Sequence, residues 1–247
     1  MKPPLRLAEL TTEETKALLA APKTCALVPV GSVEPHGPHL PLATDTLLSE
    51  VAAARALALL DARGISAVIA PSVPYGVTDY AQGFAGALSV PRDALVGYLG
   101  AVAGALLAAG FGRVAFVNNH LEPAHDAAVR EAAARHPGRV VVACPLTRRW
   151  GRTLSDEFKR GNCHAGRYET SLVLAAGGRV RDDERMHLTT IETSLSDGIK
   201  AGKATFAEMG LDRAYTGAPQ DATREEGDAL YEKLAEMVAT EVSESFG

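Results

Sequence analysis

The feature that most constrains this chain is an apolar run that ends in a proline-rich loop crowded with metal-type ligands. Cys25-Ala26-Leu27-Val28-Pro29-Val30-Gly31 is continuous and apolar, as a strand buried on both faces would be. Glu34-Pro35-His36-Gly37-Pro38-His39-Leu40-Pro41-Leu42-Ala43-Thr44-Asp45 follows, and a helical pattern starts near Thr46. Histidines and carboxylates therefore sit on a strand-to-helix connection, where open α/β sheets place their ligands. Proline and glycine shape the backbone freedom of the loop, so it can hold Glu34, His36 and Asp45 in fixed directions. Alone, the loop also reads as a polar surface turn with Asp45 capping the next helix.

The rest of the chain repeats the strand–loop–helix pattern. Thr11 or Thr12 can cap a first helix running to about Ala20, with acids in its first turn. A helix near 46–62 carries Leu47, Val51, Ala54 and Ala58 at helical spacing, with Leu48 and Leu59 widening that face. A strand at 66–70 leads into an irregular stretch reaching about Ser89, long enough to be functional. After an apolar helix come a strand at 113–117, then Asn118-Asn119-His120-Leu121-Glu122, then a helix from Pro123. A strand at 139–143 precedes a polar stretch, 146–162, without a clear pattern. His164-Ala165-Gly166-Arg167-Tyr168-Glu169-Thr170-Ser171 opens another helix, 178–211 has little periodicity, and a last helix spans about 221–244. Alternating strands and helices predict a layered α/β fold with a largely parallel sheet, as one domain over 1–247.

Composition closes off several classes. A net charge of -5 leaves no basic patch for nucleic acid. Cys25, Cys144 and Cys163 are odd in number and widely spaced, which suits a reducing cytoplasm. No secretory signal is evident at the start. Residues 94–112 lack charge but are rich in glycine and alanine, so they read as a buried helix and not a membrane span. No Gly-x-Gly-x-x-Gly follows the first strand, which argues against a dinucleotide enzyme.

Three separated places carry candidate ligands: Glu34, His36 and Asp45; His120 and Glu122; His164 and Glu169. In a parallel sheet the first two sets can converge. Histidine plus carboxylate without cysteine suits Zn²⁺ or Mn²⁺. Five ligands with one shared carboxylate are a sensible set for two ions.

These motifs resemble the creatininase (creatinine amidohydrolase) family. The matching pieces are 31–41 with Thr44-Asp45, 118–122, and His164-Ala165-Gly166 with Glu169-Thr170-Ser171; Pro74-Tyr75-Gly76-Val77-Thr78 matches a segment before the substrate loop. The resemblance implies a three-layer α/β/α hydrolase with two divalent metal ions, often a hexamer. It implies Glu34 and His120 on one ion, His36 and Glu122 on the other, and Asp45 between them, with Glu169 near the metals. It puts His164 in proton transfer, makes His164 and Glu122 the expected catalytic residues, and sets Tyr75, Thr78, Leu121, Arg160, Gly161 and His164 at the substrate. The implied reaction is hydrolysis of a non-peptide C–N bond in a small cyclic or formylated amide.

Departures bear on the substrate. Creatinine-hydrolysing members resembling this chain have Trp and Asp where Arg160 and Gly161 stand here, and Ser in place of Thr78. The indole wall is missing unless Trp150 replaces it, so creatinine is not the expected substrate. Arg160 or Arg167 instead suits an acidic substrate group, against the ordinary reading of a solvated surface charge. His39 reads as a supporting group, and His125 and His136 as non-catalytic. Two alternatives stay open: a peptide-processing member of the same family, like the peptidase of mycofactocin maturation, and a non-catalytic metal-binding protein.

Overall fold

The computed structural model describes residues 4–247. In chain order its helices and strands are α1 (Thr12–Leu19), β1 (Thr24–Val30), α2 (Thr44–Ala62), β2 (Ser66–Ile69), α3 (Arg92–Ala108), β3 (Arg113–Asn118), α4 (Pro123–Ala134) and β4 (Val140–Ala143). Six helices follow: α5 (Arg148–Gly151), α6 (Asp156–Arg160), α7 (Arg167–Ala176), α8 (Asp182–Arg185), α9 (Leu195–Lys200) and the long α10 (Arg224–Glu244).

The sheet is parallel throughout, in the order β2-β1-β3-β4. β1 is buried along its whole length, as its unbroken apolar run requires. Its side chains alternate between two cores. Cys25 and Leu27 pack with α2, α7 and α10, whereas Ala26, Val28 and Val30 pack with α3 and α4. The result is the expected α/β/α sandwich. The chain leaves β1 by α2 on one face and leaves β3 by α4 on the other. That places a topological switch point between the carboxyl ends of β1 and β3, where a crevice opens.

Local chemistry explains the main elements. Thr11 and Glu14 form a reciprocal capping box on α1. Pro123 sits in the first turn of α4, where its missing N–H costs nothing. In α10, Leu230, Leu234, Met237 and Val238 are buried as their spacing predicts.

α2 departs from its predicted face. The deeply buried positions are Leu48, Ala52, Ala53, Ala56 and Leu60, while Ala58 is exposed and Leu47, Val51, Ala54 and Leu59 are only half-buried. The helix is apolar nearly all round and lies between the sheet and α7 and α10, so its pattern marks no single face. It also starts two residues earlier than predicted, so Asp45 lies inside its first turn; the position ahead of the helix, Ala43, has no side-chain cap. Gly31 permits this start, because a Cβ there would lie 2.5 Å from the Thr46 backbone nitrogen. The stretches without periodicity hold α5 and α6 (within 146–162) and α8 and α9 (within 178–211), each six residues or fewer. Among the described residues no helix is long and apolar enough to cross a membrane, and all three cysteines are buried and free.

Candidate metal centre

Glu34, His36, Asp45, His120, Glu122, His164 and Glu169 converge beyond the carboxyl ends of β1 and β3, and each is at most 8% exposed. Glu34 and His36 come from the loop after β1, Asp45 from the first turn of α2, and His120 and Glu122 from the connection after β3. His164 precedes α7, and Glu169 lies in its first turn.

Asp45 is the centre of the arrangement. Its Oδ1 lies 3.2 Å from His36 Nε2 and its Oδ2 3.0 Å from His120 Nδ1. Its remaining contact is the Ser32 hydroxyl, which donates to Oδ2 at 2.7 Å. Around it stand two clusters whose ligand atoms are close enough to hold an ion: Glu34, His120 and Glu122 in one, His36, Asp45 and Glu169 in the other. A third cluster joins Glu34, His36 and His164.

Each histidine is pinned by a backbone carbonyl. His36 Nδ1 donates to the Glu34 carbonyl at 3.1 Å, His120 Nε2 to the Val77 carbonyl at 2.7 Å, and His164 Nε2 to the Pro35 carbonyl at 3.1 Å. A carbonyl only accepts, so in each neutral ring the other nitrogen keeps its lone pair and faces the carboxylates. That is the tautomer a metal ligand needs. Supporting contacts hold the frame. Asn118 brackets His120, its Oδ1 accepting from His120 N at 3.1 Å and its Nδ2 donating to His120 O at 3.0 Å. Thr78 Oγ1 donates to Glu34 Oε2. Val77 N donates to His125 Nδ1, and the His125 ring meets His120 edge-on at 4.6 Å. His125, which has no predicted part, thus steadies the loop that pins His120.

The electrostatics call for cations. Four carboxylates are buried together here, and among the described residues their only cationic contacts are histidines. Burial pushes the Asp45 carboxyl upward, but His36 and His120 outweigh it and hold it well below the usual range. Burial depresses His36, yet Asp45, Glu169 and Glu34 override it and raise the ring to about 10. Burial pushes Glu169 up to about 8 and Glu122 up to about 7. Uncompensated buried charge costs several kcal/mol. Divalent cations relieve it and leave the histidines neutral, so the donor set fits such ions.

The clusters differ in one respect from the expected pairing. Glu122 joins Glu34 and His120, because its carboxylate accepts from Asp79 N at 3.0 Å and Tyr80 N at 3.2 Å. The place beside His36 and Asp45 is taken by Glu169, held by Ala165 N at 2.7 Å.

Above this floor opens a cavity of about 600 Å³. Of the residues expected at the substrate, Leu121, Gly161 and His164 line it. Tyr75 does not; it is 51% exposed on the surface, and Tyr80 lines the cavity instead. Thr78 is fully buried and bonded to Glu34. Arg160 lines a smaller neighbouring pocket, and Arg167 is paired with Glu226. Trp150 is not the missing aromatic wall, for its indole donates to Glu241. The wall comes from residues that sequence reading overlooked: Phe158, Leu195, Ile199, Phe206 and Met209. Phe206 stacks on His164 with ring centroids 4.6 Å apart. The available signal was a sprinkling of large apolar residues in the otherwise polar stretch 195–209.

Two histidine–carboxylate clusters flanking one aspartate, at the switch point of a parallel sheet, define a class of α/β protein built to hold metal ions. The chain belongs to the creatininase family: the model described as creatinine amidohydrolase matches residues 8–242. The mycofactocin precursor peptide peptidase of Mycolicibacterium smegmatis is 33% identical over 219 residues, 86% of this chain and 80% of its own. The creatinine amidohydrolase of Pseudomonas putida is 26% identical over 97% of this chain and 96% of its own. A solved structure titled "Creatininase Mn" shares the fold with a TM-score of 0.74 at 22% identity, covering 98% of this chain and 99% of that one. The family is one of hydrolases, and this chain is an enzyme of that class.

Proposed function

We propose that this single-domain protein is a metal-dependent amidohydrolase that cleaves an amide C–N bond flanked by a bulky apolar group. The observation that carries this reading is Asp45, each of whose oxygens faces a different pinned histidine at the floor of the cavity. Glu34, His120 and Asp45, with Glu122 beside them, would hold one divalent ion, zinc or manganese, and His36, Asp45 and Glu169 would hold a second. Such ions, when bound, polarise a carbonyl and make water acidic enough to attack near neutral pH.

The chain's own residues supply the rest. The Pro35 carbonyl fixes His164 so that Nδ1 faces the floor, 3.9 Å from Glu34 Oε1 and 4.0 Å from Glu169 Oε2. Burial, with the His36 ring adding to it, depresses His164 to about 4, so it is neutral at pH 7 and free to take a proton. It carries that proton to the departing nitrogen. Glu122, with its carboxyl pushed up to about 7, is a second proton-holding group on the lining of the same cavity. Leu121, Phe206 and the other apolar lining residues exclude water and seat the substrate. A cavity of about 600 Å³ is far roomier than a small ring such as creatinine needs, and Arg160 and Gly161 stand where the Trp and Asp of creatinine-hydrolysing members would be.

A second reading, trimming of a peptide end, is favoured by one finding: relatives at 30–33% identity are named mycofactocin precursor peptide peptidases. Its space requirement is met by the same cavity. The buried, free cysteines suit a reducing cytoplasm, and the family resemblance suits a homo-oligomer, a hexamer on the family pattern.

Metal analysis of the purified protein combined with an amide screen tests the proposal. The panel holds cyclic amides, N-acyl aromatic amines and short peptides. About two ions per chain are expected, with Asp45→Asn losing at least one of them and amide turnover falling roughly a thousandfold or more. Undiminished hydrolysis by a metal-free protein would overturn it.

A further inference from the structure

Beside the main cavity lies a second, polar pocket of about 440 Å³. The two share Lys159, Ser196 and Lys200 on their linings, so they meet at a common wall. The wall is rigid for identifiable reasons. Leu195 N donates to the Gly161 carbonyl at 2.7 Å, and Ser194 Oγ donates to the Arg160 carbonyl at 2.8 Å. Gly161 has φ +78, and a Cβ there would lie 2.5 Å from Ser196 Oγ. The end of α6 is thereby locked to the start of α9.

The lining of this pocket is unusual in a chain with a net charge of -5. Lys159, Arg160 and Lys200 share it with Glu192 and Asp197. Lys200 is paired with Asp197 and Lys159 with Asp156, each at 3.1 Å and three residues apart on exposed helix surface. Such pairs hold their partners weakly and yield to a better-placed anion. Arg160 has no carboxylate partner among the described residues, in contrast to Arg167, Arg55 and Arg63, which are paired with Glu226, Asp228 and Glu236. A second observation is the contiguity of the two pockets: Lys159, Ser196 and Lys200 line both, so a group seated beside Arg160 lies next to the main cavity.

We propose that this pocket is a distal subsite for an anionic oxygen group, a carboxylate or a phosphate, on the substrate whose amide bond lies in the main cavity. Arg160 recognises the anion with its planar fork, and Lys159 and Lys200 add charge at the junction. The inference rests on the amidohydrolase reading and deepens it. The substrate class is an elongated molecule with an amide at one end, an apolar middle and an acidic group at the far end.

Binding measured apart from turnover tests this. The probes are 4-(2-acetamidoethyl)benzoic acid, its neutral carboxamide, and 4-(2-acetamidoethyl)phenyl phosphate, titrated calorimetrically into metal-loaded wild type, Arg160→Gln, and a control, Arg152→Gln. Wild type and control are expected to bind an acidic probe at least tenfold more tightly than the neutral one. In Arg160→Gln that preference falls to threefold or less, while the neutral probe binds as before. Preference for the carboxylate or for the phosphate identifies which acid the subsite serves. Equal binding of acidic and neutral probes, a preference that survives Arg160→Gln, or no saturable binding of any probe would each overturn the subsite. If the preference is present but no amide is hydrolysed, the subsite stands and the hydrolase reading fails; hydrolysis without preference does the reverse.

Discussion

Glu157 offers a sharp test of how the centre is built. It lies in α6, 7% exposed, and its carboxylate accepts three backbone N–H groups. Oε1 takes Arg167 N at 3.1 Å and Ala218 N at 2.8 Å, and Oε2 takes Tyr168 N at 2.7 Å. The first two residues of α7 are thus capped by a side chain distant in sequence, since Gly166 has none to offer. Burial pushes the Glu157 carboxyl upward, and the three amides work against that rise. Gly166 and Gly217 are closely fitted around it; a Cβ on Gly166 would come within 2.8 Å of Oε2. Replacing Glu157 with Ala strands three buried donors. At about 1–3 kcal/mol per unsatisfied group, partly relieved by entering water, the expected loss of stability is roughly 3–6 kcal/mol. Gln keeps the two bonds at Oε1 but turns an NH₂ toward Tyr168 N–H, so about 2 kcal/mol is lost. The assay is urea unfolding of both variants, with amide turnover measured in parallel. Turnover should fall in the same order, because α7 carries Glu169 and its start adjoins His164. An alanine variant within 1 kcal/mol of wild type would show that the cap does not hold α7 in place.

Two further outcomes follow from the same geometry. His164→Gln should keep its metal ions and lower turnover by about 10²–10⁴, the usual worth of a positioned proton carrier; loss of metal along with activity would make it a ligand instead. His39 is 1% exposed, with Nε2 bonded to Thr170 Oγ1 at 2.9 Å, and burial lowers its pKa to about 4. Its folded pKa thus lies below the unfolded value of about 6.5, so protons favour the unfolded chain. The associated stability is fully present above pH 6.5 and is lost as pH falls toward 4, about 1.4 kcal/mol per unit and roughly 3 kcal/mol in all. His39→Gln should flatten the pH dependence of the unfolding free energy by about that amount, and an unchanged slope would show that His39 is not buried neutral.

The sequence by itself determined the layered fold and the residues of the centre. Both are written locally: β1 as an unbroken apolar run, α1 and α4 by their caps and proline, and the candidate ligands by short motifs, two at strand ends and one at the start of α7. A parallel sheet then has little freedom but to gather those ends on one side. The tertiary structure alone decided the rest. The buried face of α2 could not be read from an alanine-rich helix that is apolar all round. The pairing of Glu169 with His36, and of Glu122 with Glu34 and His120, depended on which backbone amides reached each carboxylate. Glu157 went unnoticed because its partners are main-chain groups that carry no residue signature. The apolar wall came from Phe206 and its neighbours, and the outward place of Tyr75 could not be seen, because irregular segments are positioned by contacts far apart along the chain. Repeating patterns encode what an element is, whereas the place where an aperiodic stretch settles is set by the surfaces the other elements leave open to it.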